Sequence, residues 1–362
     1  MNRENYKLIS STFKNKKVFI TGHTGFKGSW FLFWLKHLGA NVCGYSLEPL
    51  NDDDIFNHIE GSEICKNIYG DIRDYHKLEN SIIDFQPDFI FHFAAQAIVI
   101  NSYNYPLDTV STNVLGTANL LNSLNKLSKK CSIIIITTDK VYDNNEDGHI
   151  FKEGDRLGGY DPYSSSKACS ELLVSSFRES FFNVKKYDNH KKSIAVARAG
   201  NVIGGGDWSD YRLIPDLIRS LYSQDDLVLR NPSSVRPWQH VLEPLYGYLL
   251  LAVKLYSNPS KYSEAWNFGP KQDEMISVEK ISRLLIKNWG NGNIILKNDL
   301  EKVHESSVLR LDIQKANSKL NWYPKWNAEE SILFTANWYK EYKRGMPVST
   351  LIEADIINYI SS

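Results

Sequence analysis

The sequence predicts an α/β fold, a doubly wound parallel sheet with a smaller, mostly C-terminal substrate-binding domain. Three observations carry this expectation. Short apolar runs alternate with helix-period segments through about residue 200. The first run leads directly into a glycine-rich turn and a helix. Polar residues suited to chemistry recur just past the ends of the apolar runs, where ligands bind in open parallel sheets.

The elements follow in order. Residues 17–21, Lys-Val-Phe-Ile-Thr, read as a short buried strand. After the turn, residues 29–38 are rich in Trp, Phe and Leu and read as a helix closed by Gly39. Residues 41–45 form a second strand and 67–70 a third, ending at Asp71; 76–85 form a helix stopped before Pro87. Residues 89–93 are a fourth strand, 109–127 a long helix, 132–136 a fifth strand, 163–180 a helix and 193–198 a sixth strand. Beyond about residue 200 the rhythm gives way to Gly204-Gly205-Gly206, tryptophans and proline-containing turns. Residues 1–200, with a return near 239–262, are therefore read as the nucleotide-binding domain; 201–238 and 263–362 are read as the substrate domain.

Composition bounds the function. At 362 residues the chain can bury a large core, and its 42 Lys plus Arg balance 42 Asp plus Glu. No basic excess points to nucleic acid or an anionic membrane. Cys43, Cys65, Cys131 and Cys169 are scattered, as reduced thiols of a cytoplasmic protein would be, and the nine histidines show no metal-ligand spacing. The lysine-rich start of the chain lacks the apolar stretch of a signal peptide.

Gly22, Gly25 and Gly28 sit between a strand and a helix, the Rossmann-type arrangement. The first glycine permits the tight turn, the second lets backbone approach a pyrophosphate, and the third allows close helix packing. Free N–H groups at the helix start receive the phosphate. Thr24 and Phe26 in the turn, Ser46 after the second strand, Asp71 and Ile72 after the third, and Ala94, Ala95 and Gln96 after the fourth complete the expected cofactor site. Asp71 and Ile72 read equally as a turn aspartate and a core isoleucine. No arginine follows the second strand to hold a 2′-phosphate, which favours NAD over NADP.

The fifth strand ends in Thr138, Asp139 and Lys140, and Tyr163 and Lys167 follow one helical turn apart. A nearby ammonium lowers a phenol's pKa, so Tyr163 beside Lys167 becomes a usable base for a sugar hydroxyl. Asp139 and Lys140 add a second acid and base, which a plain oxidation does not need. Adjacent opposite charges are also common as a surface pair of little energetic value. Arg198, Asn201, Arg230 and Arg236 are candidates to grip a diphosphate, with Gln96 and His240 lining the same substrate site. Any single arginine is by default a surface charge.

Eight segments together resemble the CDP-glucose 4,6-dehydratase family of the extended short-chain dehydrogenase/reductase (NAD-dependent epimerase/dehydratase) superfamily. They are Gly22-His-Thr-Gly-Phe-Lys-Gly-Ser-Trp30, Ala94-Ala-Gln96, Asn113-Val-Leu-Gly-Thr117, Thr138-Asp-Lys140, Tyr163-Ser-Ser-Ser-Lys167, the Ala199–Trp208 segment, Arg236-Pro-Trp-Gln-His240 and Trp266-Asn-Phe-Gly-Pro270. The resemblance implies NAD as cofactor and CDP-glucose as substrate. It implies that Tyr163, with Thr138 and Lys167, removes the C4 hydroxyl proton as hydride leaves C4. Lys140 or a water then takes the C5 proton while Asp139 protonates the departing C6 hydroxyl, and hydride returns to C6. The product is CDP-4-keto-6-deoxyglucose, a precursor for deoxysugars and surface polysaccharide. One segment departs from the pattern: Ala97-Ile-Val-Ile100 stands where a proline and an arginine are expected. The superfamily's habit of pairing two long helices implies a homodimer, with a homotetramer open. An epimerase or reductase on the same scaffold, and a non-catalytic NAD sensor, are the competing readings.

Overall fold

A computed structural model of the chain describes residues 3–229, 231–296 and 309–362. Its centre is a seven-stranded sheet of β1 (Lys17–Thr21), β2 (Asn41–Ser46), β3 (Lys66–Tyr69), β4 (Phe89–His92), β5 (Cys131–Ile136), β6 (Lys192–Ala199) and β7 (Ala265–Phe268). The spatial order is β3-β2-β1-β4-β5-β6-β7, and every neighbouring pair is parallel. The principal helices are α1 (Arg3–Phe13), α2 (Phe26–His37), α3 (Tyr75–Phe85), α4 (Gly116–Ser123), α5 (Pro162–Ser180), α6 (Leu242–Ser257), α7 (Ala328–Lys343) and α8 (Val348–Ser361).

The largely apolar character of β5 follows from burial on both faces; all six of its residues are buried. Alternate residues feed two cores. Val18, Ile20, Ile134 and Ile136 pack with Trp30 of α2 and Leu249 of α6, whereas Phe19, Ile133 and Ile135 pack with Leu78 of α3, Leu120 of α4 and Val174 of α5. The reversal of strand order between β1 and β4 opens the crevice in which such sheets bind ligands.

Two elements differ from the sequence reading. The helix expected over 109–127 is broken into Pro106–Val110, a π-helical turn Ser111–Leu115, α4 and a short 3₁₀ turn Leu124–Lys126. Asn113 lies in the π turn. Its amide donates to the Gln96 carbonyl (3.0 Å) and to Ser166 Oγ (2.8 Å), and its Oδ1 accepts from the Gln96 N–H (2.8 Å). The irregular turn thus ties the loop after β4 to α5, the functional use such turns commonly have. The second difference is β7, a four-residue strand from the span read as the substrate domain, too short to stand out as a periodic run. The return of the chain to the sheet is α6, packed against β5 and β6.

No helix among the described residues is long and apolar enough to cross a membrane. On α8, Asp355 is buried with one carboxylate oxygen unpartnered, and burial pushes its carboxyl up to about 8. Its folded value lies above the unfolded one, so stability is fullest below pH ~4 and is lost as pH rises toward ~8. Asp355→Asn is therefore expected to raise the melting temperature at pH 8 by several degrees and to change it little at pH 4, read by calorimetry at the two values.

Candidate active site

The glycine turn forms because β1 ends beneath the neighbouring strand. Gly22 has φ +75°, and a Cβ there would fall 2.7 Å from the Ala94 nitrogen after β4. A Cβ on Gly28 would fall 2.0 Å from the Gly22 carbonyl oxygen, so α2 can approach the turn only as glycine. Gly25 caps α2 and meets nothing closer than 3.7 Å, which leaves its outer face open. The first helical bond runs from the Ser29 N–H to the Gly25 carbonyl, so the N–H groups of Phe26, Lys27 and Gly28 point out of the helix end. This cradle fits a pyrophosphate.

Around it, Thr24 Oγ1 lies 2.8 Å from Ser46 Oγ and donates to the Leu47 carbonyl, fixing the end of β2. Phe26 is half-buried and its ring lies against Gly204. Ala94 and Ala95 are half-buried in the loop after β4, where the Ala94 N–H donates to Thr21 Oγ1. Asp71 is held by the Arg73 guanidinium, which keeps its carboxyl below the usual range. Ile72 has its side chain 5 % exposed and packed under Gly116 in the second core, which leaves its backbone to meet an adenine.

The strand end of β5 and the start of α5 bring Thr138, Asp139, Tyr163 and Lys167 together. Asp161 caps α5, accepting from the Ser164 N–H at 2.9 Å, and so presents Tyr163 and Lys167 on one helix face. Thr138 Oγ1 donates to Asp139 Oδ1 (2.9 Å) and is hydrogen-bonded to the Tyr163 phenol. Asp139 is 1 % exposed, and its Oδ2 is unpartnered. A Cβ on Gly200 would sit 3.0 Å from that oxygen. Burial raises the carboxyl, against the opposing charges of Lys140, Arg236 and Lys27. Lys140 lies half-buried in the turn Asp139–Val141, its N–H donating to Thr138 Oγ1 at 3.3 Å. Lys167 Nζ donates to the Ile136 carbonyl at 3.4 Å.

Burial pushes the Tyr163 phenol up to about 12, and the Thr138 hydrogen bond lowers it only in part. Burial also brings Lys167 down to about 8. Desolvation is the largest influence on both groups.

The substrate candidates separate. Arg236 is buried and its charge reaches Asp139; Asn201 is half-buried next to Gly200, and its carbonyl accepts from the Gln239 N–H. Arg230 lies outside the described residues. Arg198 is a correction: it is 3 % exposed, donates from Nε to both oxygens of Glu171, and donates from Nη1 to the Tyr142 hydroxyl at 2.7 Å. It anchors the sheet and does not grip a diphosphate. Arg198→Met leaves the Glu171 carboxylate buried and unpaired, and is expected to cost ~3–5 kcal/mol in urea unfolding. His240 is also corrected. Its ring is sealed between Trp30 and Trp326, with centroids at 5.7 and 4.9 Å, and burial pushes it down to about 3. Gln96 donates to the Ile98 carbonyl and to Thr109 Oγ1 and accepts from the Ile98 N–H, which fixes the loop after β4 against the helix Pro106–Val110. The departing segment follows as a short helix, Val99–Asn104, with Ile100 half-buried.

Two site residues went unread in the sequence. Lys27, in the glycine turn, is brought to about 8 by burial and by Arg212, and its charge is coupled to Asp139 and Lys167. Arg212, paired to Asp207 at 2.9 Å, has its charge felt by Tyr163. A lysine beside an anion cradle is a visible signal; Arg212 has none, since only the tertiary fold brings it to Tyr163.

Fold and site together define an extended short-chain dehydrogenase/reductase. Residues 19–333 match the family model for GDP-mannose 4,6 dehydratase, and the chain belongs to that family of nucleotide-sugar enzymes. It is 44% identical to a CDP-glucose 4,6-dehydratase of Salmonella typhimurium, over 98% of this chain and 99% of the relative. A UDP-glucose 4-epimerase of Mycoplasma genitalium is 24% identical over 90% of this chain and 97% of the relative. Among solved structures, a dTDP-glucose 4,6-dehydratase from Streptomyces venezuelae with NAD and TYD bound shares the fold at TM-score 0.77 and 22% identity, covering 92% of this chain and 99% of that one.

Proposed function

We infer that this chain is a NAD-dependent nucleotide-sugar 4,6-dehydratase that converts CDP-D-glucose to CDP-4-keto-6-deoxy-D-glucose and water. The observation that carries the reading is one strand end bearing both an acid and a base system: the buried, half-unpartnered Asp139 carboxyl, next to Thr138 and its bond to Tyr163. The 44% identity to a CDP-glucose enzyme supports the cytidine nucleotide.

Gly22, Thr24, Gly25, Phe26, Gly28, Ser46, Asp71, Ala94 and Ala95 would hold the dinucleotide, with Tyr163 and Lys167 at its reactive end. NAD, when bound, would supply the hydride acceptor for C4 and the hydride donor for C6. Tyr163 receives the C4 hydroxyl proton, relayed through Thr138 and favoured by the Lys167 ammonium. The C4 ketone acidifies the C5 hydrogen, which Lys140 or a water removes. Asp139, whose carboxyl burial raises, donates to the departing C6 hydroxyl. Arg236 and Asn201, with Arg230, are the proposed contacts for the nucleotide diphosphate. An epimerase has no use for the second acid, which favours the dehydratase.

The same reading places the enzyme in the cytoplasm, with residues 1–200 and 239–262 as the cofactor domain. It forms a homodimer through the helices at 106–123 and α5, where Leu107, Leu115, Leu172 and Phe181 are 84, 52, 58 and 55 % exposed; a homotetramer extends the same scheme. The test is a panel of CDP-, dTDP-, UDP- and GDP-glucose with added NAD. CDP-glucose is expected to lead in kcat/KM by ~10-fold or more, the discrimination that buried polar base contacts give. Preference for another nucleotide overturns the cytidine assignment.

A further inference from the structure

Behind the catalytic face, Glu171 sits one turn beyond Lys167 on α5 with its side chain 3 % exposed. It receives two elements of the sheet at once. Thr137 Oγ1, at the end of β5, donates to Oε1 at 2.6 Å, and Arg198 of β6 donates from Nε at 2.9 and 3.0 Å and from Nη2. Arg198 continues to the Tyr142 hydroxyl, which donates to Asn267 Oδ1 of β7 at 2.7 Å. Thr137 is also fixed by its N–H to the Ala197 carbonyl, and the next three residues are Thr138, Asp139 and Lys140. One carboxylate therefore locks α5, which carries Tyr163 and Lys167, to the strand end that carries the acid.

We propose that Glu171 is a positioning residue for the reaction, clamping the end of β5 against α5 with its carboxylate one helical turn from Lys167. This rests on the reading of Tyr163 and Lys167 as the oxidation machinery. The charges around Lys167 support it. Lys27 faces it from α2, His92 of β4 is held neutral between Thr21 and Thr117, and Tyr163 shares its helix. Asp139 and Lys140 stand on the turn after β5, where the Asp139 charge engages Lys27, Arg236 and Lys140. Glu171 is the carboxylate that opposes the loss of the Lys167 proton on burial. A neutral amide in its place keeps an acceptor for Thr137 while removing that charge.

The experiment is the pH profile of kcat for the NAD-loaded enzyme with CDP-glucose. In Glu171→Gln the alkaline limb is expected to move down by about one pH unit, so turnover at the wild-type limb falls about tenfold, with KM unchanged because Glu171 does not face substrate. Glu171→Asp is expected to restore the limb. A limb that stays in place, with turnover reduced equally at every pH, overturns the proposal and leaves Glu171 a structural ion-pair partner. Should the unpaired Arg198 prevent folding, Glu171→Gln/Arg198→Gln removes both buried charges and must show the same limb shift. Lys167→Met separates the two readings. If it is inactive while the Glu171→Gln limb is unmoved, only the role of Glu171 fails. If it retains turnover, the oxidation reading fails and this inference with it.

Discussion

Tyr163→Phe is expected to lower kcat by ~10³-fold or more while NAD binding is retained, the scale set by removing a positioned general base. The phenol hydroxyl is hydrogen-bonded to Thr138 and stands one turn from Lys167, placed to take the C4 hydroxyl proton. Phenylalanine keeps the buried ring, and one hydrogen bond is lost, so the melting temperature should fall by only a few degrees. Stopped-flow absorbance of the nicotinamide separates this from a binding defect: the variant should show no reduced cofactor at any time. Turnover within tenfold of wild type would remove Tyr163 from the chemistry.

Asp139→Asn is expected to split the reaction. Oxidation at C4 depends on Tyr163, so the first substrate molecule should still reduce the bound cofactor. Without a proton donor for the C6 hydroxyl, elimination stalls, and overall turnover falls by ~10²–10⁴-fold. The enzyme should accumulate reduced cofactor with a 4-keto sugar that keeps its C6 oxygen, read by absorbance and mass spectrometry. In the wild type the pH dependence has a definite sign. Burial raises the Asp139 carboxyl, so the acid form persists above the usual carboxylate range, and elimination declines as pH rises through that raised value. A variant that dehydrates at the wild-type rate would assign Asp139 to structure alone.

Much of this molecule was legible in its sequence because local chemistry and global topology agree. The apolar runs at β1, β4 and β5 are buried on both faces and need no partner to be recognised. The glycine spacing states its own sterics, since Gly22 and Gly28 have no room for a side chain. What sequence could not resolve depends on where side chains turn. Arg198 and His240 occupy motif positions next to the site, yet one points back to Glu171 and the other into a cage of tryptophans. The π turn at Asn113 hides inside a helical pattern because its cause, the loop holding Gln96, lies 17 residues away. Ile72 and β7 were ambiguous for a similar reason: two residues of context cannot tell a core contact from a ligand contact, nor four residues a strand from a turn.

The most direct test of the account is product analysis by NMR after incubation with CDP-glucose and NAD in deuterated water. The expected product is CDP-4-keto-6-deoxyglucose carrying deuterium at C5, with no net formation of NADH, since the C5 proton leaves to solvent and hydride returns to C6. A C4-epimerised sugar that keeps its C6 hydroxyl, or an oxidised product with stoichiometric NADH, would contradict it and return Asp139 and Lys140 to a structural role.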